Sequence, residues 1–285
     1  MSADQRGQTA GTFPFGAANA LRPPRPAASG QASVLIVGVY PSAFHVAWSP
    51  PEDLDPRPPT ARSRPFIGAL AVDVEPTVFW DGLDPAPRQL LDVWTDRVGW
   101  QPAWGSVRPG TNGPSGALVV SRYLEPLGVA AAEAAYTDVV PWYFVKSGSG
   151  SQREAIVHRF APIAAQLGVP PGDLPSRPSP RALVELASGP PRRESLRSEL
   201  VDAGAPLVVA LGKEALDAVR AVSDSSSGLP ERLSPLGYGE VGEITVVGVT
   251  LGMLPLVHPG FASRPSSPDW ADALGAWTER APTLR

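Results

Sequence analysis

The chain has 285 residues, 43% hydrophobic and 18% charged, enough apolar material for one large α/β domain or two small ones. It has no cysteine, which excludes disulfides, iron–sulfur clusters and Cys-ligated zinc. A formal net charge of −4 speaks against a general DNA-coating protein, whose phosphate contacts need clustered Lys and Arg, but leaves room for an enzyme with one local basic groove.

Residues 1–31 are rich in Gly, Pro, Ala and Ser and predict a mobile tail, which leaves 32–285 as one domain. The N-terminus lacks a basic segment followed by an apolar stretch, and no apolar run approaches the ~20 residues of a membrane span. A cytoplasmic, monomeric protein with no membrane contact and no cofactor is therefore expected.

Ala32–Val39 is a continuous apolar run that stops at Tyr40-Pro41, a pattern that suits a strand buried on both faces. Residues 49–65, rich in Pro and Arg, predict a long loop; 66–74 read as strand or buried turn. Leu90, Leu91, Trp94 and Val98 have helical spacing within 86–98. Residues 117–127 read as helix or strand. Ala134–Val140 is a second buried strand, ended by Pro141. A helix near 153–167 precedes a proline-rich loop reaching residue 190, and 192–203 form a helix ending at Gly204. Pro206–Leu211 is a third strand, from which a helix starts directly at Gly212. A loop over 223–239 leads to strand candidates at 244–249 and 253–257 and to a C-terminal helix with Trp270, Leu274 and Trp277 on one face. This alternation predicts an α/β fold, three layers around a central parallel sheet, with ligands beyond the carboxyl ends of the strands. The polar residues at those ends are Tyr40 to His45, Asp138, Gly212-Lys213 and His258.

The segments Gly38-Val39-Tyr40-Pro41-Ser42, Glu52-Asp53, Pro65-Phe66-Ile67-Gly68, the Tyr136–Val140 run, Ala210–Ala215 and His258-Pro259-Gly260 resemble, in this order, motifs of the uracil-DNA glycosylase superfamily. The nearest branch reads GEAPG, ED and PFVG at the first three. The resemblance spans roughly residues 33–280 and implies an enzyme that extrudes a nucleotide from DNA and hydrolyses its glycosidic bond. It gives His258 the task of donating a hydrogen bond to the departing base. It makes Phe66 the ring that stacks on the base, with Gly38, Pro41 and Ser42 around it. His45, Lys213, Gly260 and Arg264 become DNA contacts; His45 is alternatively a cap on the first helix. Arg57, Arg62 and Arg64 form a basic run beside the expected pocket. Each residue also has a plain structural alternative: a turn cap for His258 and Asp138, ordinary core packing for Phe66, close helix packing for Gly212. His158 is expected on the surface.

Three departures from the family pattern refine the expectation. Asp138 stands where the family places a base-reading Asn; an ionised Asp only accepts, which favours the amine of cytosine over uracil O4. Ser42 replaces a bulky Tyr, leaving room for a substituent at C5. Val39-Tyr40 occupies the water-activating position, and Tyr40 is a poor base because its ordinary pKa is about 10. Glu52 or Asp53 would then position the water, or cleavage is strongly dissociative. The expected substrate is a C5-modified cytosine of the kind found in viral DNA, with plain uracil as its near relative. A non-catalytic binder of modified DNA and an unrelated α/β enzyme acting on nucleotides are the alternatives. The chain has no GxGxxG after a strand and no GxxxxGK[ST], so the common nucleotide cradles are missing.

Overall fold

The computed structural model describes residues 21–58, 60, 66–146, 152–170, 172, 174–263 and 265–281. Strand β1 (Val34–Gly38) is buried along its whole length. Its side chains alternate between two cores: Leu35 and Val37 face one, Val34 and Ile36 the other. A strand with a packed layer on each side has no solvated face, which explains the unbroken apolar run.

Along the chain follow β2 (Ala43–Ser49), β3 (Gly68–Val74), α1 (Pro87–Val98), β4 (Ser106–Pro109) and α2 (Pro114–Val119), which continues through a π turn to Leu124. Strand β5 (Ala134–Asp138) comes next, and then α3 (Gln152–Ala155), joined by a π turn to α4 (Ala161–Gln166). Helices α5 (Pro180–Ser188) and α6 (Arg192–Asp202) lead to β6 (Leu207–Leu211) and α7 (Lys213–Val222). The last elements are β7 (Ser225–Ser227), β8 (Gly242–Val246), β9 (Val249–Leu256), α8 (Pro259–Ala262) and α9 (Pro268–Arg280).

The main sheet has the order β5-β1-β6-β9-β8-β7, and β5, β1, β6 and β9 are parallel. Leu183, Leu196 and Leu216 of α5, α6 and α7 cover one face. Tyr123, Ala262 and Trp277, from the π turn, α8 and α9, cover the other, with Trp270 and Leu274 packed alongside. The α/β architecture is as expected, but the sheet is mixed. Strands β8 and β9 form an antiparallel hairpin because Val247 and Gly248 both adopt positive φ (51° and 76°), the geometry of a tight two-residue hairpin turn.

A second, antiparallel sheet of order β3-β2-β4 was not foreseen. Its middle strand buries Phe44, Val46 and Trp48 in a core with Leu70, Trp94, Trp104 and Phe160. Helix α5 falls where a proline-rich loop was expected. Pro180 sits in its first turn, where a missing N–H costs nothing, and the Ser179 hydroxyl accepts from Ala182 N–H at 3.2 Å. The expected tail is bound from Arg22 onward. Arg22 N–H donates to Pro141 O at 2.7 Å, and Arg25 pairs with Tyr136, covering the outer edge of β5.

Candidate functional site

Four parallel strands end together. Gly38 of β1 is in register with Asp138 of β5, and Leu211 of β6 with Leu256 of β9. At about 4.8 Å per strand, the ends of β5 and β9 lie about 14 Å apart along one rim. Above the rim opens a cavity of about 900 Å³. Gly38, Tyr40, Pro41, Ser42, His45, Asp138 and His258 all line it. The structure thus brings together residues that the sequence places at separate strand ends.

Asp138 is the last residue of β5 and is 3% exposed. The guanidinium of Arg192 grips the main chain beside it, donating to Asp138 O at 2.7 Å and to Val139 O at 3.0 Å, and pairs with Glu199. The Asp138 carboxyl itself gains no such donor: its Oδ2 is buried without a hydrogen-bond partner among the described residues. Burial pushes its pKa well above the usual carboxylate range, and the nearby Glu75 raises it further against the pull of Arg192. Burial without a donor thus favours the protonated carboxyl, one donor and one acceptor, over the acceptor-only anion that the sequence suggested. A neutral carboxyl can face the edge of uracil as well as that of cytosine.

Gly38 is where the backbone makes room. A Cβ there would lie 2.2 Å from Asp138 Oδ1 and 2.7 Å from Phe79 Cζ. Phe79 holds a positive φ of 52°, rare for a bulky residue, and its ring lines the cavity 6.1 Å from Tyr136. Tyr40 supplies a second ring, packed edge-on to Phe144 at 5.6 Å. Burial raises its phenol pKa although Arg177 opposes the shift, so it is no easy base.

His258 caps α8. Its Nδ1 accepts from Gly260 N–H at 3.1 Å, which leaves the proton on Nε2. The imidazole opens onto the cavity. Surrounding protein lowers its pKa, Lys146 lowers it further and Glu214 opposes. It is a neutral donor. Arg177 pairs with Glu214 at 2.6 Å on the cavity wall, and Lys146 is exposed there.

Glu75, just beyond β3, is a residue that sequence reasoning missed. It is 3% exposed and lines the cavity. Its Oε1 accepts from Ser42 N–H at 2.9 Å, its side chain also accepts from Phe79 N–H, and its own N–H donates to Ser42 O at 2.9 Å. Burial raises its pKa to about 7 in spite of these bonds and of Arg25 and Arg22. The available signal was its place directly after an apolar run, the same rule that singled out Asp138.

Other expectations fall elsewhere. Phe66 lies outside the cavity, in a separate cleft of about 480 Å³ with Asp53, Arg57 and His158. Its ring packs 5.2 Å from Phe160, and Arg57 sits 5.2 Å from its centre while paired with Asp55. It is a core ring of the second sheet, whereas Phe79, Tyr40, Tyr143 and Phe144 line the cavity. Glu52 and Asp53 form a short exposed turn away from the cavity and cannot hold water in it. His45 lies within β2 and caps no helix; burial lowers its pKa. Lys213 is exposed outside the cavity lining and paired with Asp217. Gly260 orients His258 through its N–H. His158 is exposed, as expected. Arg62, Arg64, Pro65 and Arg264 lie outside the described residues.

No protein-family model and no curated protein matches the chain. Among the described residues no helix is long and apolar enough to cross a membrane, and no group of three or more His, Asp or Glu is placed to hold a metal ion. The chemistry the site offers is that of a neutral imidazole donor and two buried carboxyls lining one cavity, with aromatic walls and the exposed ammonium of Lys146.

Proposed function

We propose that the protein is a DNA glycosylase of the uracil-DNA glycosylase type, acting on an extruded pyrimidine. The observation that carries the reading is that Asp138 and His258, far apart in the chain, line one cavity at the carboxyl rim of the parallel strands. A cavity of this volume suits a base with its sugar. Phe79 and Tyr40 offer rings for stacking, a contribution of about 1–3 kcal/mol per base. The Asp138 carboxyl meets the base edge. As the C1′–N bond breaks, its electron pair moves onto the base. The Nε2–H of His258 donates to the base carbonyl that gathers this charge. Lys146 supports a phosphate contact at the cavity wall.

Ser42, where bulk would close the C5 side, keeps C5-substituted cytosine and uracil among the substrates. The test is a panel of oligonucleotides that differ only at one base. The expected outcome is an abasic site at one or more pyrimidines, read as strand breakage after alkali. DNA binding with no breakage on any base would leave a non-catalytic binder, a reading that Tyr40 in the water-activating position supports. No binding even at low salt would remove DNA as the partner.

A further inference from the structure

The glycosylase reading leaves the attacking water without a host. Tyr40 is a poor base, and Glu52 and Asp53 lie outside the cavity. Among the described residues three carboxyls line it: Glu75, Asp138 and Glu214. Glu214 is held by Arg177 at 2.6 Å.

The two that remain differ in their donors. Glu75 accepts from two backbone N–H groups, of Ser42 and Phe79. Donors of this kind favour a charged carboxylate. Asp138 Oδ2 is buried with none, which favours the protonated form. Two carboxyls lining one cavity resist double ionisation, which favours one proton between them, and the hydrogen bonds decide where. A carboxylate has about four lone-pair sites, and two N–H donors leave sites open for a water.

We propose that Glu75 holds the attacking water and takes its proton, while Asp138 keeps its own proton and reads the base. The inference rests on the glycosylase reading and extends it. In the step, the water oxygen bonds to C1′ and the C1′–N bond breaks. The bond's electron pair leaves on the base beside His258, and the water's proton passes to the Glu75 carboxylate. Glu75 is faced by Arg22 and Arg25 from the N-terminal segment and by Asp138 from β5. Asp138 is faced by Arg192 and Glu199 from α6 and by Tyr40 from the turn after β1.

The experiment is single-turnover excision between pH 5 and 9 by the full chain, with DNA affinity measured in parallel. Glu75→Gln keeps an acceptor for the Ser42 and Phe79 N–H groups, so DNA affinity should stay within about twofold. Its rate should fall at least about a hundredfold, the usual weight of a general base. The wild-type rate should decline below a midpoint near pH 7 as Glu75 takes up a proton, and the Gln variant should lose that limb. Glu75→Asp, which retains a titrating group, should retain an acid limb. A Gln variant as fast as wild type, or one with the limb unchanged, overturns the role of Glu75 alone. An Asp variant indifferent to pH does the same. A wild type that excises no base overturns the glycosylase reading and takes this role with it.

Discussion

The backbone N–H of Gly260 donates to Nδ1 of His258 at 3.1 Å, so the imidazole presents Nε2–H to the cavity. The bond exists only while Nδ1 is unprotonated, and desolvation favours the same neutral ring. The titration of His258, followed by NMR, should therefore have its midpoint below 6.5. His258→Ala should slow excision at least about tenfold, which corresponds to some 1.4 kcal/mol in the barrier. An unchanged rate would remove the donor role.

Gly38 and Asp138 meet across neighbouring strands so closely that a methyl group cannot be inserted. Gly38→Ala should destabilise the fold by about 1–3 kcal/mol, the usual cost of overpacking, measured by urea unfolding. It should also slow excision, because the added Cβ displaces the Asp138 carboxyl or the Phe79 ring. A variant with wild-type stability would mean that the strand ends are less tightly apposed than described.

A neutral Asp138 gives a specific outcome for base choice. Asp138→Asn keeps one donor and one acceptor, so uracil excision should persist or increase. Asp138→Ala offers neither and should lose at least about tenfold in rate. If Asn abolishes activity on every base, the acid is needed as an anion and the assignment of its proton is wrong.

Glu75 carries a stability signature separate from its chemistry. Its folded pKa is raised from 4.5 to about 7, so between those values the folded state binds more protons than the unfolded state. Stability from this group is therefore lost as pH rises through that window. At 1.36 kcal/mol per pH unit, wild type should lose on the order of 3 kcal/mol relative to Glu75→Gln between pH 4 and 8. Denaturant midpoints of the two proteins across this range check the sign; parallel curves contradict it.

Phe66 and Phe79 separate packing from the proposed base contact. Phe66→Ala should cost on the order of 3 kcal/mol of stability, as buried rings do, and leave excision by the folded protein near wild type. Phe79→Leu should slow excision several-fold through lost stacking. The reverse pattern would return the stacking role to Phe66.

Residue order alone determined the main layers. Val34–Gly38 and Leu207–Leu211 are apolar without interruption, and Ala134–Tyr136 opens the strand between covering layers in the same way, because each is covered on both faces, and that condition is written locally. The helix at Lys213–Val222 and the Trp277 face of α9 follow from spacing in the same way. Strand β2 was also legible, since Phe44, Val46 and Trp48 alternate with less buried residues. Ser179-Pro180, a helix start, was hidden among many prolines.

Only the tertiary structure decided which side chains reach the cavity. Phe66 and Phe79 both adjoin β3, one before it and one after, and chain position does not say which end of that strand meets the rim. Glu75 becomes a site residue because the turn after β1 folds back to give it the Ser42 N–H. The charge state of Asp138 is likewise a property of its neighbours: Arg192 turns to the backbone and Glu199 and leaves Oδ2 without a partner among the described residues. Local pattern fixes which faces of an element are apolar. Desolvation and hydrogen bonding between distant segments fix what a polar group at its end can do.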